Sequence, residues 1–278
     1  MSKDDIWSVV FEQMQENLFE GNLKYNIIGT EESVGSFTRE MLIDYYKRNY
    51  TRDNLVISVS GNIDEELLIN QIKTYFSKLN ENKVELTFEK DELKKTDYRE
   101  KKEINQVNVY ILTKNNVKDR SLKDYYIDIC LEMIIGDGFS SRLFQEIREK
   151  RSLAYSVNAM NFDYKNLKTF GVYIGTSVNK YKESLEVTLQ ILDNIKKEGI
   201  TERELEKVKN SILSTRATAK ENSKIVGRLL NMYKVFGKVF TDKEIADTLL
   251  CISVEDVNNK ARILLNNFST CVIGGIDV

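Results

Sequence analysis

Apolar positions recur along this chain in two rhythms, and each predicts a type of element. Over residues 4–19, Ile6, Val9, Val10, Met14 and Phe19 fall at mixed three- and four-residue steps, the stripe of an amphipathic helix that Gly21 and Asn22 end. Ser36 or Thr38 is placed to cap a helix running to Tyr50, and Asp64 to cap one through Leu79 with Leu67, Leu68, Ile72, Tyr75 and Phe76 on one face. Between them, residues 53–60 read as a buried strand bounded by Gly61. Residues 80–101 are charge-rich without sustained periodicity and read as a linker, with a boundary near residue 95. Beyond it, Ile104, Val107, Val109 and Ile111 alternate as a strand. Helices are predicted over 121–135, 140–150, 179–197, 201–220, 223–236, 241–250 and 253–265, and strands near 153–163, 167–177 and 269–275. Strands and helices in mixed order predict an α+β fold with a mixed or antiparallel sheet. Residues 53–62 and 267–275 share the order turn, strand, glycine, a weak sign of internal repetition.

Composition narrows the functional classes. The chain has 278 residues, 41% apolar and 30% charged, enough to bury a substantial core. Lys and Arg total 41 against 43 Asp and Glu, a net charge of -2 that attracts neither nucleic acid nor an anionic membrane surface. The three cysteines, Cys130, Cys251 and Cys271, are far apart and form no C-x-x-C pair, so buried thiols in a reducing compartment are expected. No apolar run approaches the ~18 residues of a membrane span. We expect a cytoplasmic protein that binds neither nucleic acid nor membrane.

The chemistry-bearing residues concentrate between Gly136 and Val157. Arg148 falls on the predicted helix 140–150 and Tyr155 at the start of the next strand, so a turn brings both to one sheet edge. A guanidinium and a phenol are donors that can meet developing negative charge. The bland alternative is an Arg148 ion pair with Glu146 or Glu149 and a core Tyr155. Gly136, Asp137 and Gly138 read as a helix end and turn, with Ser140 as the next N-cap. The chain contains no histidine. Glu103, Glu132, Glu146 and Glu149 therefore lack the imidazole or nearby thiolate that a zinc site uses, and histidine-based nucleophilic triads are excluded too.

The run Gly136-Asp-Gly-Phe-Ser-Ser-Arg-Leu-Phe-Gln-Glu-Ile-Arg-Glu-Lys-Arg-Ser-Leu-Ala-Tyr-Ser-Val157 resembles the C-terminal-domain signature of the pitrilysin/insulinase zinc peptidases, which include the mitochondrial processing peptidases. Residues 25–62 are similar to a later stretch of that family's N-terminal domain. The resemblance implies that Arg148 and Tyr155 bind the peptide backbone and support the oxyanion, and that Gly136, Gly138, Ser140 and Ser141 line the substrate chamber. It also implies that residues 1–95 are the second half of an N-terminal domain and 96–278 a complete C-terminal domain. In that register the chain begins after the family's H-x-x-E-H motif and third ligand, so zinc belongs to the complete enzyme and not to this chain. Two functions are expected to compete. One is a truncated or split zinc processing peptidase that acts on peptides with a zinc-bearing half or subunit and is inactive alone. The other is a non-catalytic peptide-binding or scaffold partner.

Overall fold

A computed structural model describes residues 6–82, 84, 90–116, 120–230, 233 and 236–276. The chain forms two compact units, one of Met1–Asn26, Glu89–Ile212 and Asp242–Val278, the other of Ile27–Phe88 and Leu213–Thr241.

The first unit is built on a five-stranded mixed sheet. Its strands are β3 (Asp97–Lys101), β4 (Gln106–Lys114), β5 (Ala154–Asp163), β6 (Lys168–Ser177) and β7 (Ser269–Gly274), in the order β3-β7-β4-β6-β5. Only β3 and β7 are parallel; the other pairs are antiparallel. The α+β fold with a mixed sheet is thus as the apolar pattern predicts. β4 and β6 are apolar on both faces because both faces are covered. On one face Tyr110, Leu112, Tyr173, Cys271 and Ile273 pack with Val10, Met14 and Leu18 of α1 (Ile6–Leu18). Each such buried side chain contributes about 1.5–3 kcal/mol. Helices pack against the rest of the sheet, with α5 (Leu122–Ile135) on β5 and α6 (Tyr181–Glu198) on β6.

Two linker expectations change. Residues 97–101 are an edge strand rather than linker, short and charged in the manner of protected sheet edges. A single cut near residue 95 does not separate the units either. The apolar stripe of α1 is buried on the sheet, and β1 (Phe19–Glu20) pairs with β2 (Glu92–Leu93) across that position. Part of the expected linker, residues 83 and 85–89, lies outside the described residues.

A buried ion network ties the first unit together. Asp128, with a fully buried side chain, meets Arg120 at 2.5 Å and Lys260 at 2.9 Å. Arg120 also pairs with Asp163. Asn115 Nδ2 donates to Asp128 at 3.1 Å, so the carboxylate is compensated from three segments.

In the second unit, Thr38 caps α3 (Arg39–Asn49) by accepting from Met41 N–H at 3.2 Å. Asp64 caps α4 (Glu65–Phe76) by accepting from Leu67 N–H at 3.0 Å. The expected buried strand at 53–60 is absent. Residues 55–60 belong to no helix or strand, and Leu55, Val56 and Ile57 are 37–40% exposed. The residue types suit a strand, but among the described residues no neighbouring strand pairs with them, so the repeat with 267–275 is one of residue types only. The expected 223–236 helix is described as Ser223–Leu229, and much of its remainder lies outside the described residues.

Candidate functional site

Arg148 and Tyr155 are positioned by a break in helical regularity and a break in strand regularity. The expected α-helix at 140–150 is a π-helix over Phe144–Lys150, a wider coil that is common at functional sites. Ile147 is its buried anchor, and Arg148 follows it on the exposed side. The chain then reverses through Ser152, which has φ 50°, a left-handed value uncommon for a residue other than glycine. Three bonds hold this turn: Leu153 N–H to Ile147 O at 2.8 Å, Lys180 Nζ to Ser152 O at 2.8 Å, and Thr176 Oγ1 to Leu153 O at 2.6 Å. β5 begins there on the sheet edge with a register shift between Ala154 and Ser156. Tyr155 is the residue inside that bulge, the kind of irregularity that re-aims a side chain.

Both side chains leave their polar groups open. Tyr155 is 68% exposed, and its hydroxyl makes no hydrogen bond among the described residues. Arg148 makes no ion pair or hydrogen bond among them either; its guanidinium lies over the Phe144 ring, 5.0 Å from the centroid. Phe144 is in turn edge-on to exposed Phe139, with ring centroids 5.2 Å apart. The alternative partner Glu146 is taken by Lys150 at 2.8 Å and Arg151 at 2.9 Å, which hold its carboxyl below the usual range. Sequence reasoning missed Phe144; its four-residue spacing from Arg148 was the available signal.

The turn before the π-helix is structural in detail. Gly136 closes α5 by donating to Glu132 O at 2.9 Å, and its carbonyl accepts from Ala159 N–H at 3.2 Å. A Cβ there would lie 2.5 Å from Ala159 N, so the strand's approach requires glycine. Gly138 is exposed at φ 94°. Ser141, rather than Ser140, is the cap: its hydroxyl donates to Gly138 O at 2.8 Å and accepts from Phe144 N–H at 3.4 Å. Ser140 lines a cavity of about 400 Å³ with Arg142, Gln145, Glu146, Lys150 and Arg151, which neither Arg148 nor Tyr155 lines. Arg142 forks onto Glu204 at 2.7 and 2.9 Å. Burial alone would raise the Glu204 carboxyl, but bonds from Arg142 and Thr201 outweigh it and hold it at about 2.

Glu132 lies beside this turn. Burial pushes its carboxyl up to about 7, against the opposing hydrogen bond from Asn161 Nδ2 and with the help of nearby Asp137. Cys130 and Cys271 are buried, which pushes each thiol up to about 12, whereas Cys251 is exposed. The donor set does not fit zinc: the chain has no imidazole, and no cluster of three His, Cys, Asp or Glu occurs among the described residues. No helix among them is long and apolar enough to cross a membrane.

The π-helix and the bulged edge strand thus present Arg148 and Tyr155 without a hydrogen-bond or ion-pair partner among the described residues. The profile of the peptidase M16 inactive domain matches residues 36–212, more than half of the chain, and the chain belongs to that family. The pitrilysin-type resemblance of residues 136–157 therefore holds. An uncharacterized zinc protease of Bacillus subtilis is 33% identical over 246 residues, 87% of this chain and 59% of its own length. One from Rickettsia felis is 28% identical over 289 residues, 99% of this chain and 66% of its own. The chain thus spans less than two thirds of these relatives. A solved peptidase M16 inactive domain from Pseudomonas fluorescens superposes with TM-score 0.87 at 17% identity, covering 100% of this chain and 67% of that one. A protease from Helicobacter pylori gives 0.84 at 18% identity, covering 98% and 68%. At such identities the solved structures speak for the fold alone.

Proposed function

We propose that this chain is part of a truncated or split pitrilysin-type zinc processing peptidase: it supplies substrate-binding and oxyanion-stabilising residues, and the zinc comes from a half or subunit outside these 278 residues. Arg148 and Tyr155 are its working donors. One observation carries the reading: a π-helix and an edge-strand bulge present two donors that make no hydrogen bond or ion pair among the described residues, Arg148 resting only on the Phe144 ring. In this role the guanidinium and the phenol orient a peptide carbonyl and stabilise the negative charge that develops on it. Residues 25–62 stand for a later part of a family N-terminal domain, and Gly136, Gly138, Ser140 and Ser141 for the chamber wall.

The names of the relatives support zinc in the complete enzyme; this chain contributes no ligand to it, and it works in the cytoplasm. The test is direct. The purified chain will hold no stoichiometric zinc and cleave no peptide, and a zinc-bearing half added in trans will restore cleavage. One tightly held zinc per chain, or chelator-sensitive hydrolysis by the chain alone, would overturn the split. The competing reading, a non-catalytic peptide-binding partner, draws on the missing histidines. It wins if the reconstituted complex binds peptides without cleaving them.

A further inference from the structure

We propose that the groove between the π-helix and α6 is a second binding site, which takes a short peptide with free amino and carboxyl ends. It is separate from Arg148 and Tyr155, neither of which lines it, and it holds whether or not the chain serves a zinc peptidase. Two bonds set its walls. Arg142, just before the π-helix, donates to Gly199 O at 3.0 Å, just beyond α6. Lys180, just before α6, donates to Ser152 O at 2.8 Å, just beyond the π-helix. The two coils therefore run antiparallel. The cavity between them is about 400 Å³, within the ~300–1,000 Å³ of ligand pockets. Its floor is apolar, from buried Val187 and half-buried Ile191. Along α6 it reaches from Val187 to Glu198, about 16 Å at ~1.5 Å of rise per residue.

The two ends of the groove carry opposite surplus charge. Among the described residues five charged side chains line it: Arg142, Glu146, Lys150, Arg151 and Glu198. At one end Lys150 and Arg151 share the single carboxylate of Glu146, at 2.8 and 2.9 Å, which leaves one positive charge in excess. Arg151 donates to it through Nε alone, and its two terminal nitrogens make no hydrogen bond among the described residues. At the other end Arg142 is matched by Glu204 at 2.7 Å, and the Glu198 carboxylate makes no ion pair or hydrogen bond among the described residues. Its neighbour Lys197 is taken by Asp193 at 2.5 Å.

A free peptide matches this pattern. Its carboxylate meets Lys150 and Arg151, its ammonium meets Glu198, and about four to five extended residues at ~3.3 Å each span the distance. A simple anion would use one end and leave Glu198 idle. Between the ends, the Ser140 hydroxyl and the Asn194 amide make no hydrogen bond among the described residues. Gln145 and Gln190 use only their Nε2 groups, on Phe139 O and Glu186, so their carbonyl oxygens are open. Together these groups offer the donors and acceptors that an extended backbone requires. Both charged ends are solvated, so each contributes only about two- to fivefold in affinity.

The test is calorimetric titration of pentaalanine at low salt into the full chain carrying Arg148→Ala, which removes the sheet-edge guanidinium from the measurement. One peptide will bind per chain. N-acetylation and C-amidation of the peptide will each weaken binding about two- to fivefold. Adding Glu198→Gln will weaken the free peptide to that extent and leave the N-acetylated form unchanged. Adding Arg151→Gln will likewise weaken the free peptide and leave the C-amidated form unchanged. This pairing of variant with blocked end separates contact with the peptide from a structural role, which would weaken all three peptides together. Three results overturn the site: no saturable binding of pentaalanine, blocked peptides that bind as well as the free one, or variants that weaken every form alike.

Discussion

Replacing Glu132 by Gln will stabilise the protein at neutral and alkaline pH and leave it unchanged in acid. The carboxyl rises from an ordinary 4.5 to about 7, chiefly through burial. The folded state therefore keeps a proton that the unfolded chain releases, and wild-type stability declines as pH climbs from about 4.5 to 7. Above pH 7 the whole cost of the buried charge is present. Each tenfold change in proton affinity is worth about 1.4 kcal/mol, so the cost is about 3 kcal/mol at most, and about 2 kcal/mol allowing for residual solvent. The amide oxygen of Gln can still accept from Asn161 Nδ2, which preserves the local bond. Urea denaturation at pH 4.5 and pH 8 reads the difference. Glu132→Gln will match the wild type at the lower pH and gain about 2–3 kcal/mol at the higher. A gain equal at both pH values, or a loss at pH 8, would refute the assignment of a buried, neutralised carboxyl.

Other consequences follow from the same packing. Asp128→Ala leaves Lys260 without its carboxylate and Arg120 with Asp163 alone, and will destabilise the fold by about 3–5 kcal/mol in urea titration; a loss under about 1 kcal/mol would mean the network is solvated. Met14→Ala opens a cavity between α1 and the sheet and will cost about 2–5 kcal/mol, whereas a negligible cost would place α1 off the sheet. Glu204 stabilises the fold above its unfolded value of about 4.5, and this contribution is lost as pH falls toward 2. Arg142→Ala will therefore flatten acid unfolding in that window, seen by circular dichroism.

The sheet and its helices were legible because their apolar rhythms are intact: alternation in β4, and three- and four-residue steps in α1 and α6. Residues 55–60 were misread for a physical reason. Strand-forming residues encode a preference, but a strand exists only when a second one pairs with it, and none does among the described residues. The charged alternation of residues 97–101 hid an edge strand, since charge on an edge mimics a linker. At the candidate site, Arg148 and Tyr155 were singled out through their spacing and a family signature. The π-helix and the bulge that free them were not, because both depend on one residue being out of step with its neighbours, which periodicity averages away. Nor could the sequence show that Glu146 would pair with Lys150 and Arg151 and leave Arg148 open.

The most direct test of the account is the kinetics of Arg148→Ala and Tyr155→Phe in a complex reconstituted with a zinc-bearing half. Donors aimed at developing charge act in the transition state, so kcat will fall by roughly tenfold to a thousandfold with KM nearly constant. Tyr155→Phe, which keeps the ring, will lie at the lower end of that range. An active complex in which both variants turn over at the wild-type rate would contradict the account and leave the two residues without a part in the chemistry.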